Sequence, residues 1–133
     1  MYLLQHLLAR SAAAAPDAAV IVSPAGDLTY GELETRSDQL ARLLLAHGAG
    51  RGVPVAICVA KGPPALVGIF GILKSGSCYV PLDPVASPAR AARILADAGA
   101  ALVLVDEHSE AAVESALEGA ARAAVCIRVD LDA

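Results

Sequence analysis

Apolar positions along this chain follow two patterns that alternate. Longer segments repeat them at helical spacing, as expected for helices with a buried face. Between these segments lie short continuous runs of Val, Ile and Leu, as in strands covered on both faces. We therefore predict strands at 19–22, 53–60, 78–80, 102–105 and 125–129, and helices at 3–14, 30–47, 63–74, 88–98 and 109–122.

Local signals mark the ends of these helices. Thr29 and Glu32 have the spacing of a capping box, in which each side chain accepts from the other residue's backbone N–H. Ser87 precedes a first-turn proline as an N-cap would, and Ser109 is predicted to cap the last helix. Glycines close several helices, as Gly48 and Gly99 do, because glycine adopts the left-handed conformation without strain. The predicted boundaries therefore rest on residue chemistry as well as periodicity.

The helix at 63–74 differs from the others because it is apolar on all sides up to Lys74. Such a helix is expected to lie between two layers of structure. Gly68 and Gly71 weaken it by about 1 kcal/mol each relative to alanine. We interpret them as points where neighbouring elements approach the helix backbone closely.

Strands that alternate with helices of this length predict βαβ units. The fold class is therefore α/β, with a mostly parallel, doubly wound sheet. The 133 residues suit one domain, 1–133, with a sizeable core. Hydrophobic residues make up 56% of the chain and charged residues 18%, which excludes intrinsic disorder.

Charge and composition exclude several classes of partner. A net charge of −4 and an aromatic content of 3% argue against nucleic-acid binding. Mean hydropathy is +0.59, yet the uncharged run between Lys61 and Lys74 is too short to span a bilayer and contains Pro63 and Pro64. The N-terminus has no basic residue before its apolar part, unlike a secretion signal. We expect a cytoplasmic protein without a membrane span.

Two stretches carry a specific resemblance. LTYGELETRSDQLARLL at 28–44 resembles the first core motif of adenylate-forming enzymes. LKSGSCYVPLDP at 73–84 resembles the second, in which Ala is commoner than Ser75 or Cys78. This superfamily contains acyl-CoA synthetases, nonribosomal peptide synthetase adenylation domains and luciferases. The order and separation of the motifs fit, and the resemblance extends over residues 1–106 and is weaker beyond.

The resemblance implies an incomplete N-terminal subdomain of the adenylate-forming fold. The second motif would then be scaffold, a helix–turn–strand junction with Gly76 at the reversal. Full-length members use ATP and Mg²⁺ to convert a carboxylate into an acyl-AMP and then transfer the acyl group to a thiol. The Ser/Thr/Gly-rich phosphate loop, the acyl pocket and the catalytic lysine of the family match no position in this chain. No catalytic, cofactor-binding or metal-binding residue is therefore assigned, and no cofactor is expected in this chain.

Three hypotheses about function follow. The first is an N-terminal fragment of an AMP-forming ligase for acyl or amino acids, truncated and inactive alone. The second is an interaction module or split subunit that docks on the remainder of such an enzyme. The third is an independent small domain that binds a ligand near Lys61 and Asp83. Whether the chain is an enzyme, and which acid it would serve, stays open in the sequence.

Individual candidate residues have a structural interpretation beside a functional one. Lys74 lies at a predicted helix C-terminus, where a cation interacts favourably with the helix dipole. We therefore favour this structural role over a role in phosphate binding. Lys61 follows a strand at the sheet edge where doubly wound folds bind ligands, but a solvated loop residue is favoured. Three aspartates that follow strands could hold Mg²⁺, although Asp is common at strand ends and helix starts. These are Asp83, Asp106 and Asp130.

Histidines and cysteines give no site pattern. His6, His47 and His108 are far apart and lack ligand spacing, so no metal is predicted. The chain has three cysteines, without a CxxC pair, and each lies in an apolar stretch. We predict that all of them are buried small hydrophobic residues. They are Cys58, Cys78 and Cys126. The acidic residues of 107–118 are interpreted as a solvated helix face.

Overall fold

The computed structural model describes residues 4–22, 26–83, 87–119 and 124–129. The predicted helix start at Leu3, the predicted helix end at Arg122 and the candidate Asp130 lie outside these residues. The helices are α1 Leu4–Ala14, α2 Tyr30–Ala46, α3 Pro63–Lys74, α4 Pro88–Ala98 and α5 Glu110–Gly119. The strands are β1 Ala19–Ile21, β2 Leu28–Thr29, β3 Pro54–Cys58, β4 Cys78–Pro81, β5 Leu102–Val105 and β6 Val125–Arg128.

Strands β3 to β6 form one parallel sheet in the order β4-β3-β5-β6, which confirms the predicted α/β class. In register, Ala56 of β3 lies between Val80 of β4 and Val103 of β5. The predicted strand at 19–22 does not join this sheet. Its counterpart β1 pairs antiparallel with β2, which the sequence pattern did not predict as a strand.

Helices cover both faces of the sheet. Val55 and Ile57 of β3 pack on one face with α2 and α3 residues such as Leu44 and Ile72. Ala56 and the intervening strand residues face the other layer, where side chains of α4 and α5 form a second core cluster. Alternate strand residues therefore enter two separate cores, as the continuous apolar runs predicted.

The glycines of α3 lie where two layers meet the helix. A Cβ added at Gly68 would come 2.6 Å from Cδ1 of Ile57, a sheet side chain. A Cβ added at Gly71 would come 2.6 Å from Cδ2 and 2.8 Å from Cγ of Leu40, on α2. The interpretation of both glycines as points of close approach is confirmed, and α3 lies between the sheet and α2.

The predicted helix ends are also present. Thr29 N donates to Glu32 Oε1 at 3.1 Å, and Glu32 N donates to Thr29 Oγ1 at 3.1 Å, which completes the capping box. Ser87 Oγ accepts from Arg90 N at 3.3 Å. Gly99 closes α4 with φ of 70°, in the left-handed region. Local chemistry therefore set these boundaries as expected.

The stretch at 73–84 forms the expected helix–turn–strand junction. Gly76 has φ of 85°, which allows the chain to reverse between α3 and β4. Ser77 Oγ donates to Gly50 O at 3.0 Å and accepts from Gly50 N at 3.1 Å, so the turn is fixed to the loop before β3. The hydrogen bonds of this junction are thus used within the fold.

Strand β4 is one of the two edge strands of the described sheet, and most of its residues are exposed. Cys78 is exposed and 42% of Tyr79 is accessible, so the prediction that Cys78 is buried is wrong. The reason is position in the sheet, because among the described strands β4 pairs with β3 alone. Cys78 N and Leu82 N donate towards β3, so the alternation of the strand places the nitrogen of Pro81 on the open side. Proline is tolerated there because no ladder bond is lost.

Candidate functional site

The place to look for a site is set by the order of the strands. From β3 the chain moves to β4 on one side, then crosses back to β5 on the other side of β3. Doubly wound sheets bind ligands outside the carboxyl ends of the strands where the order reverses in this way. The candidate site is therefore formed by two loops, 59–62 after β3 and 106–109 after β5.

Asp106 dominates this edge. Its carboxylate is buried, with 8% of the residue exposed. Oδ2 accepts from Ala60 N at 3.0 Å, and Oδ1 accepts from His108 N at 3.0 Å and Ser109 N at 2.9 Å. Burial alone raises the pKa of this carboxyl, but the N–H donors, with Ala60 first, outweigh burial and hold the pKa below its ordinary value. Backbone donors thus use both carboxylate oxygens, as expected for a structural aspartate.

Ser109 makes the second link between the two loops. It lies directly before α5, where it was predicted to cap the helix, but its hydroxyl has other partners. Ser109 Oγ donates to Cys58 O at the end of β3 and accepts from Asp106 N at 3.1 Å. Ser109 is 3% exposed, so these bonds are shielded from water. The hydroxyl ties α5 to the sheet.

Lys61 is exposed in the loop between β3 and α3, as predicted. The adjoining first turn of α3 is poorly suited to a phosphate. Pro63 and Pro64 have no N–H, and Ala65 N and Leu66 N both donate to Gly62 O, at 3.1 and 3.4 Å. An anion site at a helix N-terminus needs N–H groups that point at the ligand. This turn directs its donors into the helix instead.

Lys74 lies at the other end of α3 and has a structural role. Its Nζ is 2.8 Å from Asp38 Oδ1 and 3.1 Å from Glu34 Oε1, and it donates to Glu34 O at 3.1 Å. The side chain is 10% exposed. The predicted position at the helix C-terminus is confirmed, and the two α2 carboxylates are partners that the sequence reasoning missed. The ammonium group is used to hold α3 against α2.

The remaining candidates do not converge on one place. His108 and Glu107 form an exposed pair, with Nε2 and Oε1 3.3 Å apart. Asp83 is exposed beyond β4. Within residues 4–22, 26–83, 87–119 and 124–129, no three His, Cys, Asp or Glu side chains are grouped as a metal site requires. Burial raises the pKa of Cys58, which is buried as predicted, and of Cys126, which is half-buried.

A surface groove of about 580 Å³ lies away from the sheet edge, beside the start of α2. Tyr30 N donates to Ala18 O and Gly31 N to Pro16 O, while Glu32 N is held by the capping box. The first-turn donors of α2 are therefore already used. The groove is lined by Pro16, Asp17, Thr29, Gly31, Glu32, Thr35, Arg36 and Gln39. In the part of the chain that the structure describes, no helix is long and apolar enough to cross a membrane.

Sequence comparison gives a family match over nearly the whole chain. Residues 8–133 match the model of the family described as AMP-binding enzyme. Malpinin synthetase of Mortierella alpina is 42% identical over 110 residues, which cover 83% of this chain and 1% of that protein. Tyrocidine synthase 3 of Brevibacillus parabrevis is 39% identical over 105 residues, which cover 79% of this chain and 2% of that protein. The chain thus spans a very small part of the length of these relatives.

Comparison with solved structures agrees on the fold. A benzoate CoA ligase from Burkholderia xenovorans LB400 superposes with a TM-score of 0.89 at 22% identity, covering 100% of this chain and 27% of the ligase. The nonribosomal peptide synthetase FmoA3 superposes with a TM-score of 0.85 at 28% identity, covering 97% of this chain and 13% of FmoA3. The same arrangement of helices and strands therefore occurs within much longer proteins.

Proposed function

The chain belongs to the AMP-binding enzyme family and forms an N-terminal portion of the adenylate-forming fold, and on this basis we propose that it serves as scaffold in a unit that activates an amino acid with ATP. The main support is the identity of 39–42% to the two synthetases over about four fifths of the chain. FmoA3, whose structure is also known with α-methyl-L-serine-AMP bound, is 28% identical. The benzoate ligase, at 22%, shares the fold alone.

The geometry of the described residues supports a scaffold role. Both oxygens of the Asp106 carboxylate accept from backbone donors, and the ammonium of Lys74 is paired with α2. The first turn of α3 directs its donors inwards. Neither a triphosphate nor Mg²⁺ fits these arrangements, since both need groups that point outwards. In this proposal, ATP, Mg²⁺ and the amino acid bind to other parts of the unit, and the chain alone is inactive.

The proposal places the unit in the cytoplasm. Cys58, Cys78 and Cys126 are all free thiols, and Cys78 is exposed. An exposed thiol of this kind persists in a reducing compartment, whereas oxidising compartments favour disulfides.

A domain exchange tests the scaffold role. Residues 8–129 would replace the matching segment of a peptide synthetase adenylation domain related at about the identity of tyrocidine synthase 3. We expect amino-acid-dependent ATP–pyrophosphate exchange with an unchanged order of preferred amino acids. In the control, the matching segment of the benzoate ligase is inserted into the same adenylation domain. That segment has the same fold but is only 22% identical to this chain. A folded chimera with a changed amino-acid preference would contradict the proposal, because a scaffold segment does not select the substrate.

A second candidate function is the docking of this chain onto a separately encoded remainder of the enzyme. The exposed edge strand β4 and exposed leucines on α1 favour it, with 53% of Leu4 and 49% of Leu7 accessible. Sedimentation of the purified chain tests this function. A monodisperse, well-folded monomer across the micromolar range would count against docking, whereas self-association or aggregation supports it. The third hypothesis, a ligand site near Lys61 and Asp83, has no comparable observation in its favour.

A further inference from the structure

The carboxyl ends of β3 and β5 are joined by side chains beyond the point where the strand ladder ends. Asp106 Oδ2 reaches across to Ala60 N at 3.0 Å. Ser109 Oγ reaches across to Cys58 O. Both links start from the loop 106–109; one ends on Cys58, the last residue of β3, and the other on Ala60, in the loop that follows it. They cross the position where the strand order reverses.

Each group in these links has a second bond that fixes its direction. The Ser109 hydroxyl has a single proton, which it donates to Cys58 O, and it accepts from Asp106 N at 3.1 Å. The Asp106 oxygen that does not face Ala60 accepts from His108 N and Ser109 N. Asp106 is 8% exposed and Ser109 is 3% exposed, so water competes poorly for these bonds. These side-chain groups therefore bond to one another and to nearby backbone groups. The network joins Ala60 to Asp106, 46 positions apart in sequence, and Cys58 to Ser109, 51 positions apart.

We propose that Asp106 and Ser109 form a latch that couples the end of β3 and the loop 59–62 to the loop 106–109 and closes the crevice between β3 and β5. The crevice is where a doubly wound sheet ordinarily takes a ligand. Here the chain's own carboxylate fills it, and Lys61 and the start of α3 are held at a fixed position relative to β5. The latch is a mechanical device of the fold, independent of which acid the unit activates.

Two substitutions separate the links. Asn at position 106 has one acceptor oxygen and one NH₂ donor. If the oxygen keeps the bonds to His108 N and Ser109 N, the NH₂ group faces Ala60 N–H, and the contact between two donors releases Ala60. Ser109→Ala removes both hydroxyl bonds, the one to Cys58 O and the one from Asp106 N, but touches no atom of Ala60. A change at the Ala60 amide in Ser109→Ala therefore reports coupling alone.

The test is amide hydrogen exchange of the full chain, followed by NMR at individual residues. We expect exchange of the Ala60 amide to rise about tenfold or more in both Asp106→Asn and Ser109→Ala, relative to the β3 amides of Val55 and Ile57. Glu107→Gln is the matched control, because it removes a neighbouring exposed carboxylate outside the latch. We expect it to leave the Ala60 amide within about twofold of the wild-type rate.

Either of two results overturns the latch. In the first, the exchange rate of the Ala60 amide, relative to the β3 amides of Val55 and Ile57, is the same in Ser109→Ala as in the wild type. The two links would then act independently. In the second, Asp106→Asn leaves the Ala60 amide as protected as in the wild type. Should Asp106→Asn fail to fold, the milder Ser109→Ala decides between coupling and its absence on its own.

Discussion

Gly71→Ala is the sharpest test of how α3 packs against α2. The added Cβ would lie 2.6, 2.8 and 3.0 Å from Cδ2, Cγ and Cβ of Leu40. The terminal methyl could rotate away, but Leu40 Cβ is fixed to the backbone of α2. The two helices must therefore separate, which disturbs a core in which Leu40 is only 8% exposed. Close contact along the stem of a buried side chain makes this substitution costly.

Two opposing effects decide the magnitude. Alanine favours a helix over glycine by about 1 kcal/mol. Overpacking a core costs about 1–3 kcal/mol, and contact with the stem of Leu40 places Gly71→Ala near the upper end. We expect the free energy of unfolding to fall by about 2 kcal/mol. At Gly68 the severe contact is with the terminal Cδ1 of Ile57, which can rotate, so Gly68→Ala should stay within about 1 kcal/mol of wild type.

Urea unfolding followed by far-UV circular dichroism measures these differences. Gly50→Ala is the control for the loss of a glycine, because nothing lies within 4 Å of its added Cβ. Leu40→Ala should cost less in the Gly71→Ala background than in the wild type, because the two shorter contacts, with Cδ2 and Cγ, are then absent and only the 3.0 Å contact with Cβ remains. If Gly71→Ala proves as stable as wild type, or no less stable than Gly68→Ala, the inferred close packing of α2 and α3 is refuted.

Three further predictions concern charge and thiols. Lys74→Met should lower the free energy of unfolding by about 2 kcal/mol, because the partly exposed carboxylates of Glu34 and Asp38 lose their buried partner. In the same urea assay, Lys61→Met should change the free energy of unfolding by less than about 0.5 kcal/mol. The Asp106 carboxyl has a pKa below its ordinary value of 3.8, so its stabilisation is complete above that value and is lost as pH falls through the folded-state pKa. Below pH about 4, the free energy of unfolding should therefore decrease less steeply with falling pH in Asp106→Asn than in the wild type. An unchanged slope would contradict this. Maleimide labelling read by peptide mass spectrometry should modify exposed Cys78 well before buried Cys58, whose pKa burial raises, and equal rates would contradict the assigned burial.

Features that depend on neighbours in sequence were predictable. The capping box of Thr29 and Glu32, the left-handed Gly99 and the alternation of helices with strands each rest on residues a few positions apart. The glycines of α3 were also informative. A helix tolerates Gly68 and Gly71 at a cost, and the structure shows the two close approaches that explain them. Local chemistry and strand periodicity therefore sufficed for the fold class.

Features that depend on distant parts of the chain were not predictable. Lys74 pairs with Asp38, which is 36 positions away in sequence, and with Glu34, which is 40 positions away. No local sequence pattern predicts that pairing. Cys78 lies in the same kind of apolar run as Cys58, but its strand is at the edge of the sheet. Burial depends on strand order, and a single strand's composition does not encode that order.

The candidate site shows the same division. Asp106 was recognised as a residue at a strand end, and the structural interpretation of such aspartates agrees with its three backbone partners. The spacing of Asp106 and Ser109 could have indicated a local turn. The links to Ala60 and Cys58 required knowledge that β3 and β5 are neighbours, which only the sheet topology supplies.

ATP–pyrophosphate exchange by the purified chain, with the full set of proteinogenic amino acids and with benzoate, decides whether this chain is scaffold or has catalytic groups of its own. If the chain is scaffold, no exchange is expected above a protein-free blank, because the Asp106 carboxylate, the first-turn N–H groups of α3 and the Lys74 ammonium are engaged within the fold. Exchange that depends on one acid, and that is still present after purification to homogeneity, would show that the chain has catalytic groups of its own and would refute the scaffold role.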